Sequence, residues 1–329
     1  MTGARVRLGV DAARELAEAA LRGLGYDAEE AWIVADHVLD AALCGYEYSG
    51  LAKILNIPES PRFRAPRRPM TVLRETAVSI QFDGGNQVGM LAIYRATEAA
   101  IAKAQAAGIA LVGVADSWMS GRSAYFVEKI ARADLVGIHT ASSSRTVAPL
   151  GGTRPALGTN PIAVGLPGAE GPVVFDMGTS AFMMTELLLR ERLGQELPPG
   201  VALGPDGRPT RDPAAARAGA LLPFGGHKGF GLGLMVQALG VLAGASLDVE
   251  QDNAYLFIVF KPELLKPLEE FKAEMSALIA RVKSVPRQEG VAEIRIPSER
   301  AFRHRERALR EGIEIDGAVY EALAKLRSS

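Results

Sequence analysis

The sequence has almost no cysteine and no excess of charge of either sign. Among its 329 residues Cys44 is the single cysteine, which excludes an intrachain disulfide and favours the reducing cytoplasm. The 38 acidic residues nearly balance the 37 Lys and Arg residues, so the charge gives no reason to expect nucleic acid or an anionic membrane as a partner. No apolar run reaches about 18 residues and the N-terminus lacks a signal-peptide core, so no membrane segment is predicted.

Several common functional motifs are missing as well. There is no G-x-G-x-x-G after a strand, no G-x-x-x-x-G-K-[ST] phosphate loop and no G-x-S-x-G nucleophile elbow. The four histidines and the one cysteine are too scattered for a zinc cluster, so no metal site is predicted. Any nucleotide cofactor must therefore bind in a site of a less common kind.

What is present is an alternation of helical and strand-like segments. Asp11 is predicted to cap a first helix that Gly25 ends, and Asp27 with Glu30 gives a capping-box signal for a second helix. Residues 56–70 hold four prolines and predict a connector. The later alternation favours a sheet with helical crossovers. The predicted strands are 72–85 (strand or hairpin), 109–116, 135–141, 161–167, 171–178 and 254–260, and the further helices are 89–107, 123–133, from about 229, 262–282 and from 298 onward.

The turn in LGTNPIAV places polar groups just before a strand. Gly158 exposes backbone N–H groups, and Thr159 and Asn160 add polar side chains, so this turn could hold a carboxylate or a nicotinamide carboxamide. A plain tight turn ended by Pro161 accounts for the same residues, and both interpretations stay open.

The segment VVFDMGTSAF runs from an apolar strand into Asp176 and then Thr179 and Ser180, which are predicted to start a helix. Hydroxyl groups at a helix N-terminus bind phosphate, because unpaired N–H groups and the helix dipole face the anion. Ordinary N-caps use the same residue types for purely local reasons.

The segment FGGHKGFGLGLM is more specific. His227 and Lys228 lie near a predicted helix start, where they would form a cationic pocket for phosphate or carboxylate. Gly231 and Gly233 would let that helix pack closely against its neighbours.

Four segments then occur in a recognisable order and spacing. They are APLGGTRPALGTNPIAVGLP, VFDMGTS, GPDGRPTRDPAAA and LLPFGGHKGFGLGLMV. Together they resemble the malate/L-lactate dehydrogenase family, which includes sulfolactate dehydrogenase and Δ1-piperideine-2-carboxylate reductase. The resemblance covers nearly the whole chain.

The resemblance implies an α/β fold with a non-Rossmann NAD(P)-binding mixed sheet flanked by helices. Residues 1–70 and 298–329 would form a helical subdomain from the two termini, and residues 71–297 the cofactor-binding and catalytic domain. It also implies a homodimer with sites near the subunit interface, NADPH or NADH as cofactor and a small molecule as substrate.

The resemblance also implies, motif by motif, which residues contact the ligands. The cofactor contacts would be Met119, Ser120, Gly121, Arg122, Ser123, Asp176, Met177, Gly178, Thr179, Ser180, Lys228 with its neighbour His227, Pro297, Ser298 and Glu299. The turn Gly158–Thr159–Asn160 would lie by the substrate. Arg122 could neutralise the 2′-phosphate of NADP, although basic residues near loops are common.

The segment CGYEYSGLAKIL departs from the family pattern. Where the family carries S-H-G-x-x-R, with the histidine as proton donor and the arginine on the substrate carboxylate, this chain has Tyr48, Ser49 and Lys53 at the serine, histidine and arginine positions. A second family motif, S-N-H-F-G, reads S-W-M-S-G and has Met119 in place of its histidine. Glu186 aligns with an acidic residue that is linked to the catalytic histidine in the imine reductases.

These replacements raise the question of the proton donor. Tyr48 could donate the proton if a neighbouring cation such as Lys53 lowered its pKa of about 10, with Ser49 as relay. An iminium substrate would instead mainly need its positive charge stabilised, by Glu47 or Glu186. The sequence therefore predicts an NAD(P)H-dependent oxidoreductase that reduces a 2-keto acid or a cyclic 2-imino acid by hydride transfer. The alternatives are a dehydrogenase of an unusual bulky alcohol and a non-catalytic nucleotide-binding homologue.

Overall fold

A mixed β-sheet forms the centre of the computed structural model, which describes residues 4–247 and 253–327. The strands, in chain order, are β1 (Arg5–Leu8), β2 (Thr71–Glu75), β3 (Ser79–Val88), β4 (Ile109–Trp118), β5 (Val136–Ser142), β6 (Ile162–Leu166), β7 (Val173–Met177), β8 (Ala202–Leu203), β9 (Ala220–Leu221), β10 (Ala254–Phe260) and β11 (Ile313–Asp316). The helices are α1 (Val10–Gly23), α2 (Ala28–Leu43), α3 (Gly89–Ala107), α4 (Ser123–Arg132), α5 (Met184–Arg192), α6 (Pro213–Ala218), α7 (His227–Leu242), α8 (Leu268–Lys283), α9 (Glu299–Glu311) and α10 (Gly317–Leu326). Short 3₁₀ turns occupy Glu47–Ser49, Leu51–Asn56, Pro61–Arg64 and Pro262–Leu264.

The main sheet has seven strands in the order β2-β3-β4-β10-β5-β6-β7. β3 and β4 run parallel, and the other neighbouring pairs of this sheet are antiparallel. α3 is the crossover between the parallel pair, and it ends at Gly108 with φ 85°. Only glycine adopts this left-handed conformation at little cost, which is why the sequence located the end of the helix correctly.

Helices cover both faces of this sheet. α3 and α4 pack on one face, against Tyr255, Phe257 and Val259 of β10. α7 packs on the other face, against Ala254 and Leu256. Successive residues of a strand point to opposite faces, so β10 is apolar along its whole length because both of its faces are buried. This is the α/β mixed sheet with flanking helices that the sequence predicted.

Helices from both ends of the chain pack together beside the sheet. Leu16 of α1, Val38 of α2 and Leu323 of α10 belong to one apolar cluster. β1 pairs with β11 in an antiparallel ribbon, with Arg5 opposite Asp316. The sequence predicted only helices in these two regions, which is wrong for the ribbon. The division into a domain of residues 1–70 with 298–329 and a domain of residues 71–297 stays a prediction.

The helix starts agree with the sequence in part. The capping box is confirmed, because Asp27 Oδ1 accepts a hydrogen bond from Glu30 N at 2.9 Å and Glu30 reaches back to Asp27 N. Asp11 is not the cap of the first helix, since Gly9 holds that position and Asp11 lies in the first turn. There its negative charge still favours the positive end of the helix dipole.

Two later helices begin elsewhere than predicted. α7 begins at His227 rather than at Gly229. α8 begins at Leu268, because Pro262–Leu264 forms a separate 3₁₀ turn instead of the first turn of the helix. In the described part of the chain, no helix combines the length and the apolar character that crossing a bilayer requires.

Candidate active site

A large cavity lies at the edge of the main sheet where β4 and β5 end and β6 and β10 begin. Its volume is about 640 Å³, and those strand ends contribute Trp118, Ser142, Pro161 and Tyr255 to its wall. Open α/β sheets bind ligands in the crevice outside the carboxyl ends of their strands. The rest of the wall includes the apolar residues Met119, Met183, Met184 and Leu188, the hydroxyl-bearing residues Ser143, Ser144, Thr146 and Thr159, and the charged residues Glu59, Arg62 and Arg217.

A small cavity of about 340 Å³ adjoins the large one. The two share Ser49, Gly121, Pro161 and Met183. The rest of the small cavity is lined by Tyr46, Tyr48, Arg122, Ser123, Ala124, Phe175, Asp176, Met177, Gly178, Pro297 and Ser298. The fold thus brings together most of the predicted cofactor contacts, from three segments that lie far apart in the chain.

The loop between β4 and α4 separates the two cavities, and α2 holds it in place. Met119 and Gly121 have φ 61° and φ 83°. Arg122 N donates a hydrogen bond of 2.8 Å to His37 Nε2, and a Cβ at Gly121 would lie 2.2 Å from the same nitrogen. Burial lowers the pKa of His37 well below its usual value, so the imidazole stays neutral and keeps Nε2 as an acceptor. His37 carried no functional signal in the sequence, because it lies inside a helix far from the loop in the chain.

The Arg122 side chain is already neutralised by the protein. Its guanidinium is buried, donates to Asp40 Oδ2 at 2.6 Å and lies over the ring of Tyr46. Asp40 also contacts Arg305 of α9 at 3.1 Å. This arrangement favours the structural interpretation of Arg122 over a role on the 2′-phosphate of NADP.

Asp176 and Ser123 meet where α4 begins. Asp176 Oδ2 accepts a hydrogen bond from Ala124 N at 2.8 Å, and burial raises the pKa of this carboxyl group. Ser123 is 2% exposed and lines the small cavity, and its Oγ has no hydrogen-bond partner in the described chain. A buried hydroxyl without a partner is costly, so this group fits contact with a polar ligand.

Lys53 lies on the large cavity, as an isolated buried cation. Its 3₁₀ turn leaves it only 4% exposed, and no carboxylate in the described residues lies within ion-pair distance of it. Burial lowers the pKa of Lys53 from 10.5 to about 8. A buried ammonium without a counter-ion is destabilising, and an anionic ligand would relieve that cost.

Tyr48 and Ser49 lie at the junction of the two cavities. Ser49 contributes to both walls, and Tyr48 to the small cavity alone. The pKa of Tyr48 is raised, mainly by burial and further by Glu186 and Tyr46. The hypothesis that Tyr48 is the proton donor required Lys53 to lower this pKa, so the structure shows the opposite direction.

The two glutamates named as charge stabilisers face elsewhere. Glu186 bonds to Arg190 Nη2 at 3.2 Å on α5, and Glu47 pairs with Arg5 at 2.7 Å beside the β1–β11 ribbon. Neither lines either cavity. Glu186 acts on the site through its charge, which raises the pKa of Tyr48.

The turn before β6 divides its residues between the cavity and the core. Thr159 lines the large cavity. Asn160 is fully buried, accepts from Ser143 N at 3.1 Å and donates to Gly233 O and Gln237 Oε1, both at 2.9 Å. Its side chain therefore fixes α7 against the sheet. Gly158 lies on the same inner side, where a Cβ would meet the backbone and side chain of residue 143.

Thr179 and Ser180 do not start a helix, because α5 begins only at Met184. Thr179 N and Oγ1 both donate to Thr159 O, at 2.8 and 3.1 Å. Ser180 Oγ donates to Phe182 O at 2.7 Å. These hydroxyls satisfy the local backbone, and they line neither cavity.

Three other predicted cofactor residues lie away from both cavities. His227 and Lys228 are exposed at the start of α7, and Glu299 pairs with Lys283 and Arg303. Of the two α7 glycines, Gly233 packs closely, since a Cβ there would lie 2.9 Å from Thr179 Oγ1. Gly231 faces open space, so the prediction of close packing is wrong for that residue.

Comparisons with known proteins identify the family. The family model for malate/L-lactate dehydrogenase matches residues 8–324. The chain is 34% identical to L-sulfolactate dehydrogenase of Methanothermobacter thermautotrophicus, covering 92% of this chain and 91% of that protein. It is 35% identical to Delta(1)-pyrroline-2-carboxylate reductase of Ancylobacter novellus, covering 98% and 97%. The crystal structure of a dehydrogenase from Sinorhizobium meliloti superposes with a TM-score of 0.90 at 29% identity, over 99% of both chains.

The protein is thus an oxidoreductase, and it belongs to the malate/L-lactate dehydrogenase family. Enzymes of this family use NAD(P)H, so its cofactor is NADPH or NADH. The small cavity fits such a group: Ser123 Oγ lacks a partner in the described chain, and Asp176 offers a carboxylate of the kind that binds ribose hydroxyls.

Proposed function

We propose that this enzyme reduces the C=O or C=N bond of a 2-keto acid or a cyclic 2-imino acid. The observation that carries the proposal is Lys53, an ammonium buried on the large cavity without a carboxylate partner among the described residues. A substrate carboxylate would supply the missing negative charge. Relatives named for sulfolactate and for pyrroline-2-carboxylate agree with this class of substrate.

In this proposal Lys53 holds the substrate carboxylate in place of the family arginine. The ammonium is a point charge without the two-pronged geometry of a guanidinium, so orientation must come from the neighbouring wall. Ser49 at the shared wall and Thr159 in the wall of the large cavity are hydroxyl groups suited to that task. The apolar residues Met183 and Met184 then receive the rest of the substrate.

The cofactor, when bound, supplies the hydride. Ser123 and Asp176 would bind its polar part in the small cavity, and the Gly121 loop would separate it from the body of the substrate. Tyr48 remains protonated because its pKa is raised, so it would act as a hydrogen-bond donor at the junction rather than as an acid. Glu186 would keep it so through its charge.

A turnover panel tests the proposal. Purified protein is mixed with NADPH or NADH and with 2-keto acids, Δ1-pyrroline-2-carboxylate and Δ1-piperideine-2-carboxylate, and the loss of reduced-nicotinamide absorbance is followed. The methyl ester of each acid serves as the matched control without the charge. We expect turnover of one or more free acids and much slower turnover of the ester. The proposal fails if no free acid reacts with either cofactor.

We propose further that two copies of the chain pair through an apolar surface beside α7. Met235 and Leu242 of α7 are exposed, as are Ile109 and Leu111 of β4 on the part of the sheet that α7 leaves open. Large exposed apolar side chains that collect in one region mark interaction sites. Sedimentation analysis should show a dimer that Leu242→Glu dissociates, and a monomeric wild type would contradict this.

A further inference from the structure

Tyr255 lines the large cavity, and its hydroxyl is a buried polar group without a hydrogen-bond partner in the described chain. Tyr255 lies near the start of β10 and is 1% exposed. Ser117 Oγ, a neighbouring hydroxyl, donates to Gln87 O at 2.7 Å, and it does not lie in hydrogen-bonding geometry with Tyr255 Oη.

Its surroundings place this hydroxyl beneath the loop that carries Met119. A Cβ added to Gly89 would lie 2.7 Å from Tyr255 Oη, 2.9 Å from Ser120 Cα and 3.0 Å from the carbonyl carbon of Met119. The phenol therefore approaches the segment where Met119 offers no proton to donate. Gly89 is what leaves room for it, because any side chain at that position would occupy the space of the hydroxyl.

A buried phenol of this kind is held as a donor. Burial raises the pKa of Tyr255 by more than Ser117 and Arg62 lower it, so the O–H group stays intact at neutral pH. Leaving it unpaired costs stability, and native proteins keep few such groups outside functional sites. Tyr26 is the comparison within this chain, since its hydroxyl is buried and unpaired as well but lines neither cavity.

We propose that Tyr255 is a catalytic residue whose hydroxyl donates to the reacting oxygen or nitrogen of the substrate. The inference rests on the proposed reductase function. For a 2-keto acid, the hydride forms the new C–H bond, the C=O π electrons move to oxygen, and Tyr255 Oη donates a hydrogen bond to the negative charge that develops there. The oxygen then takes its proton from solvent water, and Tyr255 keeps its own. Lys53 meanwhile stays on the carboxylate, so the two groups have separate tasks.

The variant Tyr255→Phe, with Tyr26→Phe as matched control, tests this role by activity and by stability. Loss of one such donor typically lowers kcat about 100-fold, and we expect that effect on keto-acid reduction with KM little changed. We also expect ligand-free Tyr255→Phe to melt about 2 °C higher than wild type, because an unpaired buried hydroxyl has been removed. Tyr26→Phe should keep full activity.

A Tyr255→Phe enzyme within twofold of wild-type kcat overturns the proposal. So does a lower melting temperature in the ligand-free variant, which would mean that the hydroxyl has a structural partner. If the wild type reduces no substrate of the panel, the proposed function fails separately. The Tyr255 claim is then decided by calorimetric titration with oxamate, an unreactive 2-keto acid analogue, whose affinity should fall about tenfold in the variant and would overturn the claim if unchanged.

Discussion

Replacing Lys53 with methionine should stabilise the ligand-free protein. The ammonium is buried on the large cavity, and the described residues provide it with no carboxylate partner. Methionine has nearly the same length and shape without the charge, so Lys53→Met removes the desolvation cost and preserves the packing.

The size of the effect follows from the pKa of Lys53. Its fall from 10.5 to about 8 corresponds to about 3 kcal/mol at pH 7, as an order of magnitude. The folded pKa lies below the unfolded one, so between pH 8 and 10.5 the unfolded chain binds more protons than the folded one. The cost is therefore complete below pH 8 and disappears as the pH rises towards 10.5.

Urea unfolding of wild type and Lys53→Met at several pH values measures this directly. We expect the variant to be more stable by about 3 kcal/mol at pH 7, and the gap to close as the pH approaches 10.5. A variant equally or less stable at pH 7 would refute the isolated-cation account, because it would reveal a partner that compensates the ammonium.

The remaining predictions concern the groups that hold the site together. Gly121→Ala should weaken cofactor binding at least tenfold in a fluorescence titration. The new Cβ would collide with His37 Nε2 at 2.2 Å, and the φ of 83° disfavours a side chain. Unchanged affinity would argue against that loop as part of the cofactor site. Asp40→Asn should destabilise the protein by about 3 kcal/mol in urea unfolding, because it leaves the buried Arg122 guanidinium without its counter-ion; a loss below about 1 kcal/mol would show that the pair is dispensable. Asn160→Ala should cost about 2–4 kcal/mol by the same assay, since it removes three buried hydrogen bonds, and a neutral result would contradict its structural role.

The sequence predicted the elements whose signals are local. The capping box of Asp27 and Glu30 and the left-handed Gly108 each depend on residues within one turn of the helix end. The ribbon of β1 and β11 depends on pairing between the two ends of the chain, and four-residue strands with charged residues carry no clear period. Long-range pairing of this kind is not visible in a single sequence.

The candidate site was predicted in outline. Ser49, Gly121 and Asp176 do line adjoining cavities, as the motifs indicated. Asn160 and Thr179 were predicted as ligand contacts, yet their polar groups bond to buried backbone. The same residue type can lie in an exposed turn or bond to the buried core. Only the packing of α7 against the sheet shows which of the two applies.

Tyr255 and His37 were missed for a different reason. Tyr255 occupies a seven-residue strand that looked wholly apolar, and His37 occupies a helix with the ordinary period of a core face. Their polar atoms matter because segments distant in the chain, around residues 89 and 121, approach them in the fold. The sequence held one signal, and it concerned Tyr255 alone: an aromatic residue with a polar hydroxyl in an otherwise apolar strand.

The central claim, that Lys53 binds a substrate carboxylate, is tested most directly by a charge cycle in kcat/KM. The ratio of kcat/KM for a free acid to that for its methyl ester is measured in wild type and in Lys53→Met. A charge-assisted contact predicts a ratio of about 10 to 100 in wild type and a ratio near one in the variant. The same ratio in both proteins would show that another group recognises the carboxylate and would contradict the account.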